Sequence, residues 1–275
     1  MKTRLIRSHF LLIGGMAASL ISFPQAGGAQ CAEVWQNLYR GCLGPDRIGM
    51  TVIHEGNTIE GGHYFYQKYL RDIPLTGSLV GCRITLSEPS RAQFHLDFVF
   101  NEGHQPCDFE HTVGMHGTWT SADRALSHTV ALDGTEIDPG AGNGRRYGDV
   151  TGESDDAFEA RVQSFLQAVL RGDETAAVRF VSYPLRANLG NGKARYLQNP
   201  TELLAVWNKL FSPPMMAKLR TVLPHDMFVK DGMAMLGDGE WWFDAKGLAV
   251  LNQDSTSYLL ASSARAACPQ SKDER

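Results

Sequence analysis

Hydrophobic and polar positions along this chain change their spacing near its middle. Between residues 48 and 132 apolar residues alternate with polar ones in short runs, each closed by glycine, proline, serine, aspartate or asparagine. Ile48–Ile53 leads into the turn sequence His54-Glu-Gly-Asn57, and Thr58–Tyr69 supplies Ile59, Tyr64, Phe65, Tyr66 and Tyr69. Leu79–Leu86, Phe94–Phe100, Val113–Trp119 and Leu126–Leu132 follow. A period of two is the mark of a half-buried strand, and turns about a dozen residues apart predict an antiparallel meander, closed or nearly closed into a barrel. No helical period of useful length occurs in this half.

Beyond residue 153 the period lengthens. Phe158, Val162, Phe165, Leu166, Val169 and Leu170 recur at helical spacing, with Ser154 placed to cap the N-terminus and Gly172 just past the end, which predicts a helix over Asp155–Arg171. Asp173 caps a shorter helix from Glu174 to about Ser182, stopped by Pro184. Thr201–Phe211 and Met215–Val222 read as two more helices, separated by Pro213-Pro214. Met233–Leu236, Glu240–Asp244 and Leu248–Asn252 then read as strands joined by Gly-Asp-Gly and Asp-Ala-Lys-Gly turns.

Between the halves lies DGTEIDPGAGNGRRYGDVTGE, residues 133–153, with six glycines and no apolar period. The pattern therefore predicts two domains: an all-β antiparallel meander or barrel over residues 30–132 and an α+β domain over residues 154–254. A glycine-rich linker at 133–153 joins them, and residues 255–275 form a polar tail.

The first 29 residues belong to neither domain. Lys2, Arg4 and Arg7 precede an apolar run from Phe10 to about Phe23, followed by Pro24 and small residues, the layout of a secretory signal peptide cleaved after Ala29. The run is short for a membrane anchor, which needs about 20 apolar residues, and Ala29-Gln30 makes a poor lipobox before Cys31. No later segment is long and apolar enough to span a bilayer. The expected product is a periplasmic or secreted protein.

Export changes the charge. The whole chain carries 26 basic and 30 acidic residues, a net −4; without its leader it holds 23 against 30, or −7. Such a balance argues against a general nucleic-acid binder, which needs basic residues to displace counterions. It suits basic protein partners instead. All five cysteines, Cys31, Cys42, Cys82, Cys107 and Cys268, follow the leader, in a compartment that permits disulfides. Fifteen arrangements of two pairs are open. The expected pairs are Cys31–Cys42 and Cys82–Cys107, with Cys268 free or tied to Cys31.

Three stretches of the second half, Phe165-Leu166-Gln-Ala-Val-Leu-Arg-Gly-Asp173, Val181-Ser-Tyr-Pro-Leu185 and Met235-Leu-Gly-Asp-Gly-Glu-Trp-Trp-Phe243, together resemble the nuclear transport factor 2-like superfamily, also called cystatin-like or polyketide-cyclase-like. The resemblance covers about residues 154–253 and implies an α+β cone whose members range from isomerases and dehydratases to non-catalytic proteins. The first half is only loosely similar to secreted β-meander barrels, through Gly61-Gly-His-Tyr-Phe-Tyr66 and His116-Gly-Thr-Trp119.

Candidate chemistry is sparse. On a strand through Glu240-Trp-Trp-Phe-Asp244, alternation places Glu240, Trp242 and Asp244 on one face. If that face lines the cone, the two carboxylates beside an indole make an acid/base pair, with His225 as a further proton carrier. If it faces solvent, they are ordinary polar positions. Seven histidines in the first half, His54, His63, His95, His104, His111, His116 and His128, raise a metal site, yet their spacings match no ligand motif and His111 and His116 fall on opposite strand faces. No nucleophile elbow, phosphate loop or dinucleotide fingerprint occurs, so no metal and no cofactor is implied. Tyr64 and Tyr66 share a strand face that is either barrel wall or, with Trp242, a partner-binding surface. The leading expectation is an exported, non-catalytic binding protein of the bacterial envelope with a protein partner, in its specific form an inhibitor or immunity protein against a secreted or wall-degrading enzyme. The alternative is an enzyme or small-ligand binder using the cone pocket.

Overall fold

A computed structural model describes residues 34–101, 106–139, 145–189, 192–253 and 268. The predicted leader, Cys31, His104 and the tail apart from Cys268 lie outside these residues.

Eight strands obey the period-of-two pattern: β1 Trp35–Leu43, β2 Asp46–Glu55, β3 Thr58–Tyr66, β4 Ile73–Val80, β5 Arg83–Ser87, β6 Gln93–Val99, β7 Gly114–Thr120 and β8 Ser127–Pro139. Each pairs antiparallel with the next, and β8 returns to β1 to close the barrel. Inward-facing Tyr39, Met50, Tyr64, Phe94, Leu96 and Met115 pack its interior solid. The meander expected from the sequence is thus a closed barrel. β1 and the start of β4 were not evident in the pattern, and the expected run Leu79–Leu86 is in fact the β4–β5 hairpin.

Residues 133–139, expected as linker, continue β8 and supply the seam with β1, from Arg40 opposite Asp133 to Trp35 opposite Pro139. A stretch without an apolar period suffices there because backbone pairing with β1 closes the barrel regardless of side-chain hydrophobicity.

The second module begins with α1, Asp155–Leu170, whose Ser154 side chain accepts the Ala157 amide proton as the capping pattern predicts. There follow α2 Glu174–Ala177, capped by Asp173, then β9 Val181–Leu189, β10 Lys193–Leu197, α3 Pro200–Leu204, α4 Trp207–Leu210 and α5 Pro213–Leu219. The single helix expected over Thr201–Phe211 is broken between α3 and α4. Strands β11 Phe228–Lys230, β12 Met233–Leu236, β13 Trp241–Phe243 and β14 Leu248–Asn252 complete a six-stranded mixed sheet in the order β10-β9-β14-β13-β12-β11, parallel only between β14 and β9. One face of α1 lies over this sheet: the Phe165 ring meets Phe243 at 5.4 Å between centroids, and Trp207 and Phe211 pack at 4.1 Å beside them. This is an all-β barrel followed by an α+β module.

Two disulfides form, Cys82–Cys107 as expected and Cys42–Cys268. The second corrects the expected Cys31–Cys42 pair. β1 is extended from Trp35, which carries Cys42 about 20 Å along the strand from its start, and its Cα lies 5.6 Å from that of Cys268. Among the described residues, no helix is long and apolar enough to cross a membrane. Because a cross-link restrains the unfolded chain more when it closes a longer loop, opening Cys42–Cys268, which spans 226 residues, should cost more than opening Cys82–Cys107, which spans 25. Urea unfolding of the two Cys→Ser pairs should show a loss of about 2–4 kcal/mol for the long bridge; an equal or smaller loss than for the short one contradicts this.

Candidate functional site

The alternation that sends Tyr39, Met50 and Tyr64 into the barrel sends Arg40, Thr51, His63 and Phe65 outward from β1, β2 and β3. Outward does not mean exposed here, because the second module covers this wall. Phe65 is fully buried, its ring 4.4 Å from the His225 imidazole and 5.1 Å from the Arg40 guanidinium. Gly49 makes the arrangement possible: a Cβ there would collide with both Phe65 and Arg40.

Opposite this wall stand Arg146 and Tyr147 from the segment before α1, Glu159 from α1, and His225-Asp226 from the loop between α5 and β11. Asp226 is the centre. It is 2% exposed and adopts a left-handed backbone, φ +54°, which a non-glycine residue takes only at some cost. Its carboxylate accepts from Thr51 Oγ1 at 2.5 Å and from Arg146 Nε at 2.9 Å, with Arg40 Nη1 at 3.6 Å. Arg40 Nη2 also donates to the Asp226 carbonyl at 3.1 Å. Around it, Glu159 accepts from the Asp226 amide at 3.0 Å, Tyr147 Oη at 2.6 Å, Arg146 Nη1 at 3.2 Å and His225 Nδ1 at 2.5 Å. Asp72, just before the barrel's β4, accepts from His225 Nε2 at 2.9 Å and Arg146 Nη2 at 3.2 Å. Arg146 Nη2 also lies 2.7 Å from His63 Nε2, which accepts its proton.

The charges balance when His225 is protonated: Arg40, Arg146 and His225 against Asp72, Glu159 and Asp226. Burial disfavours an imidazolium, yet the hydrogen bonds to Asp72 and Glu159 outweigh it and raise the His225 pKa to about 9. Burial likewise opposes ionisation of Asp226, but the Arg146 guanidinium, and with it that of Arg40, holds its carboxyl well below the usual range. Glu159 and Asp72 are lowered in the same way against burial, chiefly by the His225 hydrogen bond.

The expected acid/base set is not assembled. His225 belongs to this network, Glu240 does not: it is 2% exposed, accepting from Lys218 Nζ at 2.6 Å and the Asp238 amide at 2.7 Å. Asp244 sits in the β13–β14 turn, accepting from Ser182 Oγ at 2.7 Å and from the Lys246 and Gly247 amides. Trp241 and Phe243 take the core face of β13, and Phe165, Trp207 and Phe211 pack the space beneath it. Tyr64 is buried inside the barrel, donating to Glu88 at 2.8 Å, and so is wall rather than the partner-binding surface expected of it. Tyr66 is half-buried and edge-on to Tyr69. Trp242 is half-buried opposite Met235, its ring 6.5 Å from Phe228. The described first-half histidines are dispersed: His54 stacks on Phe109, His128 on Trp119, and His111 pairs with Asp108. Among the described residues, no three His, Cys, Asp or Glu side chains are grouped to hold a metal.

A cleft of about 740 Å³ opens beside the network, and Arg40 and Asp226 are among the residues that line it. Arg47, Gln67 and Lys68 line it from the barrel; Lys218, Arg220, Leu223, Met227, Phe228, Met235, Asp238 and Glu240 line it from the second module. The volume is that of a ligand site. Sequence reading missed it because its cations are scattered from residue 40 to residue 220 in no common motif. No protein-family model, curated protein or solved structure matches this chain.

Two outcomes follow from the network. The stabilising contribution of His225 should be complete below pH 6.5 and lost as pH rises through about 9; that of the three carboxylates should be complete above about pH 4 and lost on acidification below it. Melting temperatures across pH should fall on both sides of a plateau, and His225→Gln should remove the alkaline limb; an unchanged limb contradicts the assignment. Arg146→Gln, which strands a buried carboxylate, should cost about 3–5 kcal/mol in urea unfolding. Adding Asp226→Asn should recover part of that loss, and purely additive losses would count against direct coupling.

Proposed function

We propose that this chain is an exported binding protein of the bacterial envelope, periplasmic or secreted, with a protein partner. Its specific form is an inhibitor or immunity protein against a secreted or wall-degrading enzyme. One observation carries the reading: a buried, charge-balanced network joins the barrel to the second module, and both supply walls to the same cleft. Recognition that depends on two modules gains from their being held together, because no ordering cost is then added on binding.

Other features support it. Two disulfides suit an oxidising compartment, and the acidic net charge favours encounter with basic partners. The long α1 over a mixed sheet supports a cone of the nuclear transport factor 2-like kind. Its filled interior and the separation of Glu240, Asp244 and His225 favour binding over catalysis.

The test is a photo-crosslinking residue placed at Arg220, on the cleft, or at Val80, on the β4–β5 hairpin at the opposite end of the barrel. Expression in the envelope should yield a discrete protein adduct from position 220 and none from position 80, and the partner, purified, should lose activity when the full chain is added. Adducts from both positions or from neither overturn the proposal.

A further inference from the structure

Beyond that reading, we infer that the barrel end carrying the β3–β4, β5–β6 and β7–β8 hairpins seats the protein on an anionic lipid surface. Hairpins of a closed antiparallel meander alternate between its two ends, so these three, residues 67–72, 88–92 and 121–126, project from the same one. Each holds a non-glycine residue in the left-handed region: Leu70 at φ +48°, Arg91 at +73° and Arg124 at +60°. Their amides close the turns, donating to the Tyr66, Glu88 and Ser121 carbonyls at 2.9 Å. Glycine takes such positions without steric cost. Here arginine occupies two of them, and Arg71 follows the third. All three arginine side chains are exposed, so they add nothing to packing. The fold does not use their charges either: among the described residues none of the three guanidiniums has a hydrogen-bond or ion-pair partner.

The carboxylates at this end are already engaged. Glu88 accepts from Tyr64 Oη at 2.8 Å and from Trp119 Nε1 at 2.7 Å. Because Tyr64 and Trp119 belong to β3 and β7, Glu88 also ties the three hairpins to one another. Asp123 turns back on its own hairpin, accepting from Ser121 Oγ at 2.6 Å and the Ala125 amide at 3.0 Å. Asp46 is paired with Lys68, and Asp72 with Arg146 and His225. The same hairpins are apolar as well as cationic: Tyr69 is 68% exposed and Leu126 57%.

This arrangement favours a lipid surface over a single anion. Donors that grip one phosphate or carboxylate converge on it, whereas these guanidiniums stand on three separate hairpins and none of them lines the cleft. A bilayer asks for no pocket. Its anionic headgroups move laterally to meet cations wherever they stand, and each arginine near the surface strengthens attachment about fivefold. Exposed tyrosine and leucine reach the boundary between headgroups and acyl chains, where arginine stems lie with their charges in the headgroup layer. The acidic balance of the whole chain, 30 against 26 basic residues, turns the rest of the molecule away from such a surface.

The test is flotation of the full chain, disulfides intact, with vesicles of phosphatidylcholine alone or mixed with phosphatidylglycerol. The protein should float with the mixed vesicles only, and less as salt rises. Arg91→Gly with Arg124→Gly should weaken this about twentyfold without lowering the melting temperature, because glycine suits both left-handed positions. Tyr69→Ser with Leu126→Ser should weaken flotation and leave its salt dependence in place. Arg83→Gln with Arg195→Gln, which removes as much charge from β5 and β10, should change nothing. No flotation, equal flotation with phosphatidylcholine alone, equal weakening by the control pair, or undiminished flotation of the glycine pair each overturns the inference. Full release by soluble glycerol phosphate would assign the arginines to a free phosphate, and full release by polyglutamate to an acidic polypeptide; either also overturns it.

Discussion

A carboxylate removed from water must be paired, and Asp226 is paired from two directions at once. Arg40 and Thr51 reach it from the barrel; Arg146 reaches it from the segment leading into α1. Neither module alone supplies the complete set, so the ionised, buried Asp226 exists only where the two are docked. The cost of desolvating such a group is several kcal/mol and is offset only by good geometry. That condition ties the left-handed turn at Asp226, the position of His225 and the burial of Phe65 to one arrangement. Two residues that line the cleft, Arg40 and Asp226, are held by the same constraint.

Much of the scaffold was legible from periodicity. Alternation located most barrel strands, and Ser154 with the apolar positions from Phe158 to Leu170 located α1 and its cap. What failed did so for identifiable reasons. The seam strand β8 runs through Asp-Gly-Thr-Glu-Ile-Asp-Pro from Asp133 to Pro139, with one isoleucine and no apolar period, and pairs there with β1 through its backbone. Arg145 to Thr151, expected within a linker, contains Arg146 and the fully buried Tyr147. A polar stretch looks the same in sequence whether its charges meet water or meet charges contributed from 80 residues away.

The site shows the same limit. His225 stood out, but its partners Asp72 and Glu159 come from the barrel and from the solvent-phase side of α1, positions that sequence alone assigns to a hydrated surface. Glu240 and Asp244 stood out through strand alternation, and the three-residue length of β13 undid that argument: both lie outside the strand, one in a buried ion pair and the other in a turn. Tyr64 followed the alternation into the barrel, where Glu88 receives its hydroxyl. Interaction chemistry is therefore concentrated where the modules meet and not in the interior of either.

The Cys42–Cys268 bridge has a bearing on what a protease can do to the fold. It joins the first barrel strand to a residue beyond the last strand of the second module, so the chain between them is a single covalent loop. One proteolytic cut within that loop leaves both pieces attached, with the barrel seam and the buried ion pairs still able to hold their partners. A cleft walled by two modules would otherwise be lost at the first nick. Closing the loop lets it outlast the cut.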